Sequence, residues 1–188
     1  MGRWEPDARG RLERAALELY LERGFDQTTV ADIAERAGLT ERTFFRHFTD
    51  KREVLFRGDE LAQSIAVALD AVPGSVPPLT AAAVALESTS EFFAERRPYA
   101  QQRQAVIAAN SALQERELIK LAAMAATIGE ALRRRGVTEP AASLTAEAGI
   151  AVFKVAFERW LVDPAARDLA THIRETLAEL RAVAAGPN

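Results

Sequence analysis

Arg42, Thr43 and Arg46 fall within one short segment, Thr40 to Phe48, and their spacing suits the reading of a polar surface. With Phe44 set at 0° and about 100° added per residue, Phe48 falls near 40°, Arg42 near 160°, Arg46 near 200° and Thr43 near 260°. The two rings then share one side of a helix, and two guanidinium groups and a hydroxyl share the other. A guanidinium fork matches guanine O6 and N7, and a threonine methyl matches the thymine C5-methyl. Phe45 and His47 fall on the two flanks, where groove walls carrying phosphates would lie. Thr28, Thr29 and Thr40 supply hydroxyls beside helix starts, and Lys51 supplies an ammonium group; all are phosphate-seeking.

These residues need short, capped elements to hold them. A first helix is expected over about Asp7 to Arg23, with Leu12, Ala15, Ala16 and Leu19 on one face and Gly24 ending it. Thr29, with Asp32 three residues on, forms a capping-box pattern for a second helix, Val30 to Ala37. Gly38-Leu39-Thr40 then makes a tight turn into the third helix, which ends at Phe48. Ile33, Ala34, Ala37 and Leu39 offer an apolar seam between the two. Asp50, with Glu53 three residues later, reads as the cap of a fourth helix running to about Val72. The pattern is that of a helix-turn-helix.

Charge does not advertise nucleic acid. The 188 residues carry 24 Lys/Arg against 27 Asp/Glu, a net charge of -3, and the first 60 residues hold 11 against 13. Positive charge must therefore be focused on one face rather than spread over a domain. There is no cysteine, so disulfides, thiol catalysis and cysteine-held zinc are excluded. His47 and His172 are the two histidines and lie far apart in sequence. No HExxH, glycine-rich phosphate loop or nucleophile elbow is present, so no catalytic residue, metal site or cofactor is expected and the chain is not read as an enzyme. With no long unbroken apolar run and no signal-like start, a cytoplasmic location without a membrane partner is expected.

The segments Gly24-Phe25-Asp26-Gln27-Thr28-Thr29-Val30, Ile33-Ala34, Ala37-Gly38-Leu39-Thr40, Thr43-Phe44-Phe45-Arg46-His47-Phe48 and Lys51 strongly resemble the TetR family of bacterial repressors. The resemblance covers about residues 8 to 60. It implies an all-α homodimer with a DNA-binding domain at about 1–52 and a ligand-binding and dimerisation domain at about 53–188. It further implies recognition helices in successive major grooves of a palindromic double-stranded DNA operator, released by a small-molecule effector. By position, the family's contacts fall on Thr28, Arg42, Thr43, Phe45, His47 and Lys51. Phe45 departs from the tyrosine common there and cannot donate to a phosphate. A helical protein–protein adaptor is the alternative. Arg3 and Trp4 read as a disordered end, with a minor-groove arm as the other possibility.

The remaining chain is helical as well, about nine helices in all. After the Pro73 to Pro78 loop, helices are expected over about Leu79–Glu95, Pro98–Asn110, Leu113–Arg135, Pro140–Val162 and Pro164–Ala184. Phe92, Phe93, Tyr99, Arg103, Ile107, Asn110, Leu121, Met124, Ile128 and Phe153 are candidates for a mostly apolar ligand pocket with a few orienting polar groups. The stretch from about Phe92 to Trp160 is similar to a TetR subgroup whose regulatory domain takes acyl-CoA-like ligands, implying a largely apolar effector with an anionic head. Ile150, Phe153, Phe157, Trp160 and Leu161 form one apolar stripe, and His172, Ile173, Leu177 and Leu180 another. Phe157, Trp160, Leu161, Ile173, Leu177 and Leu180 are the expected dimer contacts, through a four-helix bundle. Arg133-Arg134-Arg135 reads as a solvated helix end.

Overall fold

The computed structural model describes residues 7–56 and 60–186. Among them the chain is all-α, with ten α-helices, one 3-10 turn and no strand. Arg3 and Trp4 lie outside the described residues. The chain divides into two compact units: Met1–Gly58 with Tyr99–Leu118, and Asp59–Pro98 with Ile119–Asn188. The expected boundary near residue 52 is thus supplemented by a later segment that packs with the N-terminal helices.

The first unit holds α1 (Ala8–Arg23), α2 (Val30–Arg36), α3 (Glu41–His47) and the 3-10 turn Glu53–Leu55. Leu12, Ala16, Leu19 and Tyr20 of α1 meet Ile33 of α2, Phe44 of α3, and Phe25, Phe48, Val54, Leu55 and Phe56 in one buried cluster. Ile107 and Leu113 complete it, from the ends of α7 (Arg97–Ala108) and the start of α8 (Ser111–Arg134). The fourth helix expected from Asp50 is realised there only as the 3-10 turn. The Asp50 carboxylate accepts from the Arg52 and Glu53 amides, at 2.7 and 3.3 Å, as a cap should. Phe56 then takes extended backbone, which stops propagation and drops its ring into the core. A helix resumes at α4 (Glu60–Ala71).

The second unit is built on α9 (Ala141–Val162) and α10 (Leu169–Ala185), which pack against each other and against α5 (Pro78–Glu87). Small residues allow the close approach. A Cβ on Gly149 of α9 would lie 3.6 Å from Leu86 and 3.8 Å from Ala82 of α5. The helix expected over Leu79–Glu95 is two, α5 and α6 (Thr89–Phe93). At the break the Ser88 and Thr89 hydroxyls donate to the carbonyls of Ala85 and Leu86, at 2.6 and 2.7 Å. Such back-bonding bends helices.

The expected dimer stripes turn inward. Trp160, Leu161, Ile173 and Leu177 are buried within the single chain, and Phe157 and Leu180 are half-buried. The reason is that α5 and α10 already cover that side of α9, so the largest apolar residues serve the protomer's own core. The outward side of α9 carries a different stripe. Leu144, Val155 and Val162 are 66%, 46% and 79% exposed, with Ala148 and Ala151 between them. At about 100° per residue all five fall within about 60° of one another. The arginine run at the end of α8 is engaged rather than merely solvated. Arg133 pairs with Glu139 at 2.7 Å and Arg134 with Asp70 at 2.9 Å. Arg135 donates to the carbonyls of Leu69 and Pro73, at 2.8 and 3.0 Å, satisfying the open end of α4.

Candidate nucleic-acid interface

The turn between α2 and α3 is fixed by local hydrogen bonding. Gly38 sits at φ +65°, a left-handed conformation in which any Cβ is strained. Its amide donates to Glu35, at 2.9 Å, and the Leu39 amide to Ala34, at 2.8 Å, closing a Schellman motif. Arg11 reaches from α1 to donate to the Ala37 carbonyl at the same helix end. Thr29 and Asp32 form the full capping box at the start of α2, and Arg23 pairs with Asp32 at 2.7 Å. These bonds hold the Asp32 carboxyl down at a pKa of about 2, its contacts with Thr29 first and with Arg23 after them. Thr40 caps α3 by accepting from the Thr43 amide, at 3.2 Å. The orientation of α3 is set by Phe44, fully buried, and Phe48, with ring centroids 5.5 Å apart.

With Phe44 and Phe48 inward, the opposite face of α3 is open. Arg42, Arg46 and Phe45 are exposed, and Phe45 shows 56% of its surface. Thr43 is half-buried with its hydroxyl 3.1 Å from that of Thr40. The charge pattern isolates two groups. Arg9, Arg14, Arg23, Arg36, Arg52, Arg103 and Arg116 all pair with carboxylates of the same unit. Arg42 and Arg46 have no carboxylate partner among the described residues. His47 on the flank is half-buried, and its Nε2 has no hydrogen-bond partner. Burial lowers its pKa, helped by the charges of Arg46 and Arg9, which favours the neutral ring. The local potential is therefore positive although the unit as a whole is not.

Two expected phosphate contacts are engaged within the unit. Thr28 is buried, and its hydroxyl donates to the Gly24 carbonyl, at 2.9 Å, beyond the end of α1. The Lys51 ammonium donates to the carbonyls of Phe25 and Thr28, at 2.8 and 2.9 Å, and stands 4.2 Å from the centre of the Phe25 ring. Both clamp the loop that launches α2. Unpaired carbonyls after a helix end attract donors more strongly than open solvent does. Sequence order hides this, because the carbonyls that Lys51 meets lie 26 and 23 residues earlier. Arg11 was missed for the same reason, its partner lying 26 residues away.

The expected ligand residues divide between the units. Tyr99, Arg103, Ile107 and Asn110 belong to the first, and Phe92, Phe93, Leu121, Met124, Ile128 and Phe153 to the second. Ile107 and Tyr99 pack on the core of the DNA-binding helices. Arg103 donates to the Leu55 carbonyl, at 2.7 Å, pairs with Glu117 at 3.2 Å and covers the Phe56 ring. The Asn110 side chain accepts from the amides of Ala112 and Leu113, at 3.0 and 3.3 Å, capping α8. Both polar groups are thus already engaged with main-chain groups of the first unit. His172, expected on a dimer stripe, is buried against Asp163 at 3.0 Å, at the turn between α9 and α10. Among the described residues no cluster of His, Cys, Asp or Glu could hold a metal ion, and no helix is long and apolar enough to cross a membrane.

A three-helix unit whose last helix projects two unpaired arginines from a tight glycine turn is a helix-turn-helix DNA-binding unit. Residues 13–57 match the family of bacterial regulatory proteins called tetR, and residues 76–185 match the MftR C-terminal domain. The chain therefore belongs to the TetR family of DNA-binding transcriptional regulators. It is similar to the regulator TcmR of Streptomyces glaucescens, 42% identical over 74 residues that make up 39% of this chain and 33% of TcmR. The chain thus aligns with about a third of the length of the curated relatives it matches. In fold it is similar to a TetR-family regulator from Syntrophomonas wolfei, with TM-score 0.66, 19% identity and 97% of each chain covered. It is also similar in fold to the fatty acid degradation regulator FadR of Bacillus halodurans, with TM-score 0.57, 14% identity and 95% and 96% of the two chains covered.

Proposed function

We propose that the chain is a homodimeric repressor that binds a palindromic operator and leaves it when a small, largely apolar effector binds. The unneutralised pair Arg42 and Arg46 on the open face of α3 carries this reading. In a protein of net charge -3, leaving two arginines unpaired on a helix of groove-fitting size makes sense if an external polyanion completes them. Arg42, Thr43 and Arg46 face base edges, while Phe45, His47, Thr40 and Thr29 meet the groove walls. Phe45 contributes contact with sugar and methyl groups but no hydrogen bond.

Dimerisation doubles these few contacts. The exposed stripe Leu144, Ala148, Ala151, Val155 and Val162 runs about 27 Å along α9, long enough to seat an antiparallel copy. The exposed Ala178 and Ala182 of α10 let a second pair of helices approach. Two α3 helices about 34–36 Å apart would then enter successive major grooves. The effector acts through its difference in affinity between the operator-matched dimer and any other arrangement. The acyl-CoA-like class, implied by the sequence resemblance, is one candidate. α8 is one unbroken helix whose first residues belong to the DNA-binding unit and whose remainder belongs to the other.

The test is footprinting on the DNA upstream of the protein's own gene, followed by titration with candidate effectors at fixed salt. Protection of a two-fold symmetric site, lost on addition of an effector, is the expected result. Protection without symmetry, or none, would remove the reading.

A further inference from the structure

We propose that the aromatic cluster at the end of α6, with Arg96 and Arg97 at its edge, binds a small aromatic acid. This narrows the effector of the proposed function and rests on that reading. Phe92 and Phe93 are adjacent, so their side chains leave the short helix in different directions, and their rings meet edge to face at 4.9 Å. Phe93 also meets Phe157 at 5.2 Å and Trp160 at 5.7 Å, at interplanar angles of 63° and 60°. Phe93 and Phe157 are only half-buried, so the cluster is not closed over by the protomer's own core. Rings packed edge to face favour another flat ring at the open side over a flexible aliphatic chain.

Charge defines the other end of the ligand. Arg96 lies over the Phe92 ring at 4.2 Å and Arg97 over the Trp160 ring at 6.0 Å. Arg97 donates to the main-chain carbonyls of Leu161 and Asp163, yet its buried Nε has no acceptor. Neither arginine has a carboxylate partner among the described residues. In the same unit Arg133, Arg134, Arg159, Arg167 and Arg174 each hold one. Two cations laid on aromatic faces, one with an unmet donor, call for an anionic oxygen beside a ring. A carboxylate or sulfonate attached to a flat aromatic body satisfies both ends.

The experiment uses calorimetry with 2-naphthoate, the uncharged 2-naphthylmethanol and the aliphatic anion decanoate. The chain has two tryptophans, so Trp4→Phe leaves the Trp160 indole as a single NMR reporter. Saturable 2-naphthoate binding that shifts the Trp160 indole is expected, with the other two compounds at least about tenfold weaker. Arg96→Gln, which removes no hydrogen bond to the main chain, should weaken naphthoate about tenfold without changing the melting temperature, and Phe92→Leu should weaken it too. Equal binding of decanoate or naphthylmethanol, no saturation by about 1 mM naphthoate, or an indiffferent Arg96→Gln would each overturn the proposal. So would an indole shift that follows protein concentration alone, which would mark the cluster as a contact between copies. Binding is read without DNA, so loss of operator recognition would sink the proposed function and leave this result standing.

Discussion

Arg42→Ala and Arg46→Ala should separate DNA reading from folding, with Arg36→Ala as the internal control. All three remove one positive charge per protomer, so they change the long-range field of the protein equally. They differ in local partners. Arg36 is held by Glu22 at 2.8 Å and Glu18 at 3.4 Å, whereas Arg42 and Arg46 are exposed with no carboxylate partner among the described residues. Losing either of the latter two should change folding stability by less than about 0.5 kcal/mol. A lost bidentate base contact is worth about 1–3 kcal/mol, and a dimer loses two, so operator affinity should fall by about thirtyfold to about twenty-five-thousandfold. If the lost partner is a phosphate instead, the slope of log affinity against log salt should shrink by about 1.8 per dimer. The assay is fluorescence anisotropy on the footprinted site and on a scrambled duplex, across a salt series. Arg36→Ala should weaken operator binding by less than about threefold, because a screened surface charge acts weakly at a distance. If Arg36→Ala weakened binding as much as Arg46→Ala, the general field would be the cause and the reasoning from local pairing would fail.

Val155→Glu, in the middle of the exposed α9 stripe, should halve the mass seen by light scattering while helicity persists; an intact dimer would rule out that face. Trp160→Ala should instead destabilise the protomer by about 3–5 kcal/mol in urea unfolding, because the ring is buried in the chain's own core. Thr28→Val should cost about 1–2 kcal/mol of stability and leave the salt slope of DNA binding unchanged, since its hydroxyl serves the Gly24 carbonyl; unchanged stability with a smaller slope would restore it as a phosphate contact. Gly149→Ala should stabilise by about 0.5–1 kcal/mol in thermal melts, as the added methyl meets neighbours at ordinary contact distances of 3.6 and 3.8 Å. The Asp163 carboxyl is held down to about 2, first by the Ala165 amide and then by Arg167 and His172. Its stabilising contribution is therefore full above pH 4 or so and is lost as pH falls toward 2. Asp163→Asn should flatten that part of the acid-unfolding curve.

The three short helices and the face of α3 were legible because their determinants are local. Caps act over three residues, the turn glycine over two, and an inward Phe44 and Phe48 fix where Arg42 and Arg46 point. The structural partners of Thr28 and Lys51 were not legible, because they are the unpaired carbonyls around Gly24 to Thr28, which a fold creates and a motif does not display. Arg103 follows the same rule, taken up by the Leu55 carbonyl 48 residues earlier, whereas Asn110 is taken up locally as the cap of α8. The dimer stripe turns on a different point. Periodicity marked the large-residue face of α9, through Ile150, Phe153, Phe157, Trp160 and Leu161, but does not display that the protomer's own core claims most of it. The outer stripe was readable at the same spacing, through Leu144, Val155 and Val162.

That division of the α9 faces bears on function. In the dimer proposed above, a stripe of alanines, valines and one leucine would make a contact that is extended but shallow, since no large ring is inserted across it. Shallow packing tolerates small sliding or rotation of one copy on the other at low cost, whereas an interface of interlocked aromatic side chains would resist it. With only two unpaired arginines per reading helix, operator affinity in that proposed dimer would depend on both helices meeting their grooves together. A modest change in the angle between copies would then break half of the contacts at once. Replacing Ala148 and Ala151 with leucine should tighten the dimer and reduce the response to effector more than it changes operator affinity without effector. An equal loss of both would show that the interface does not carry the signal.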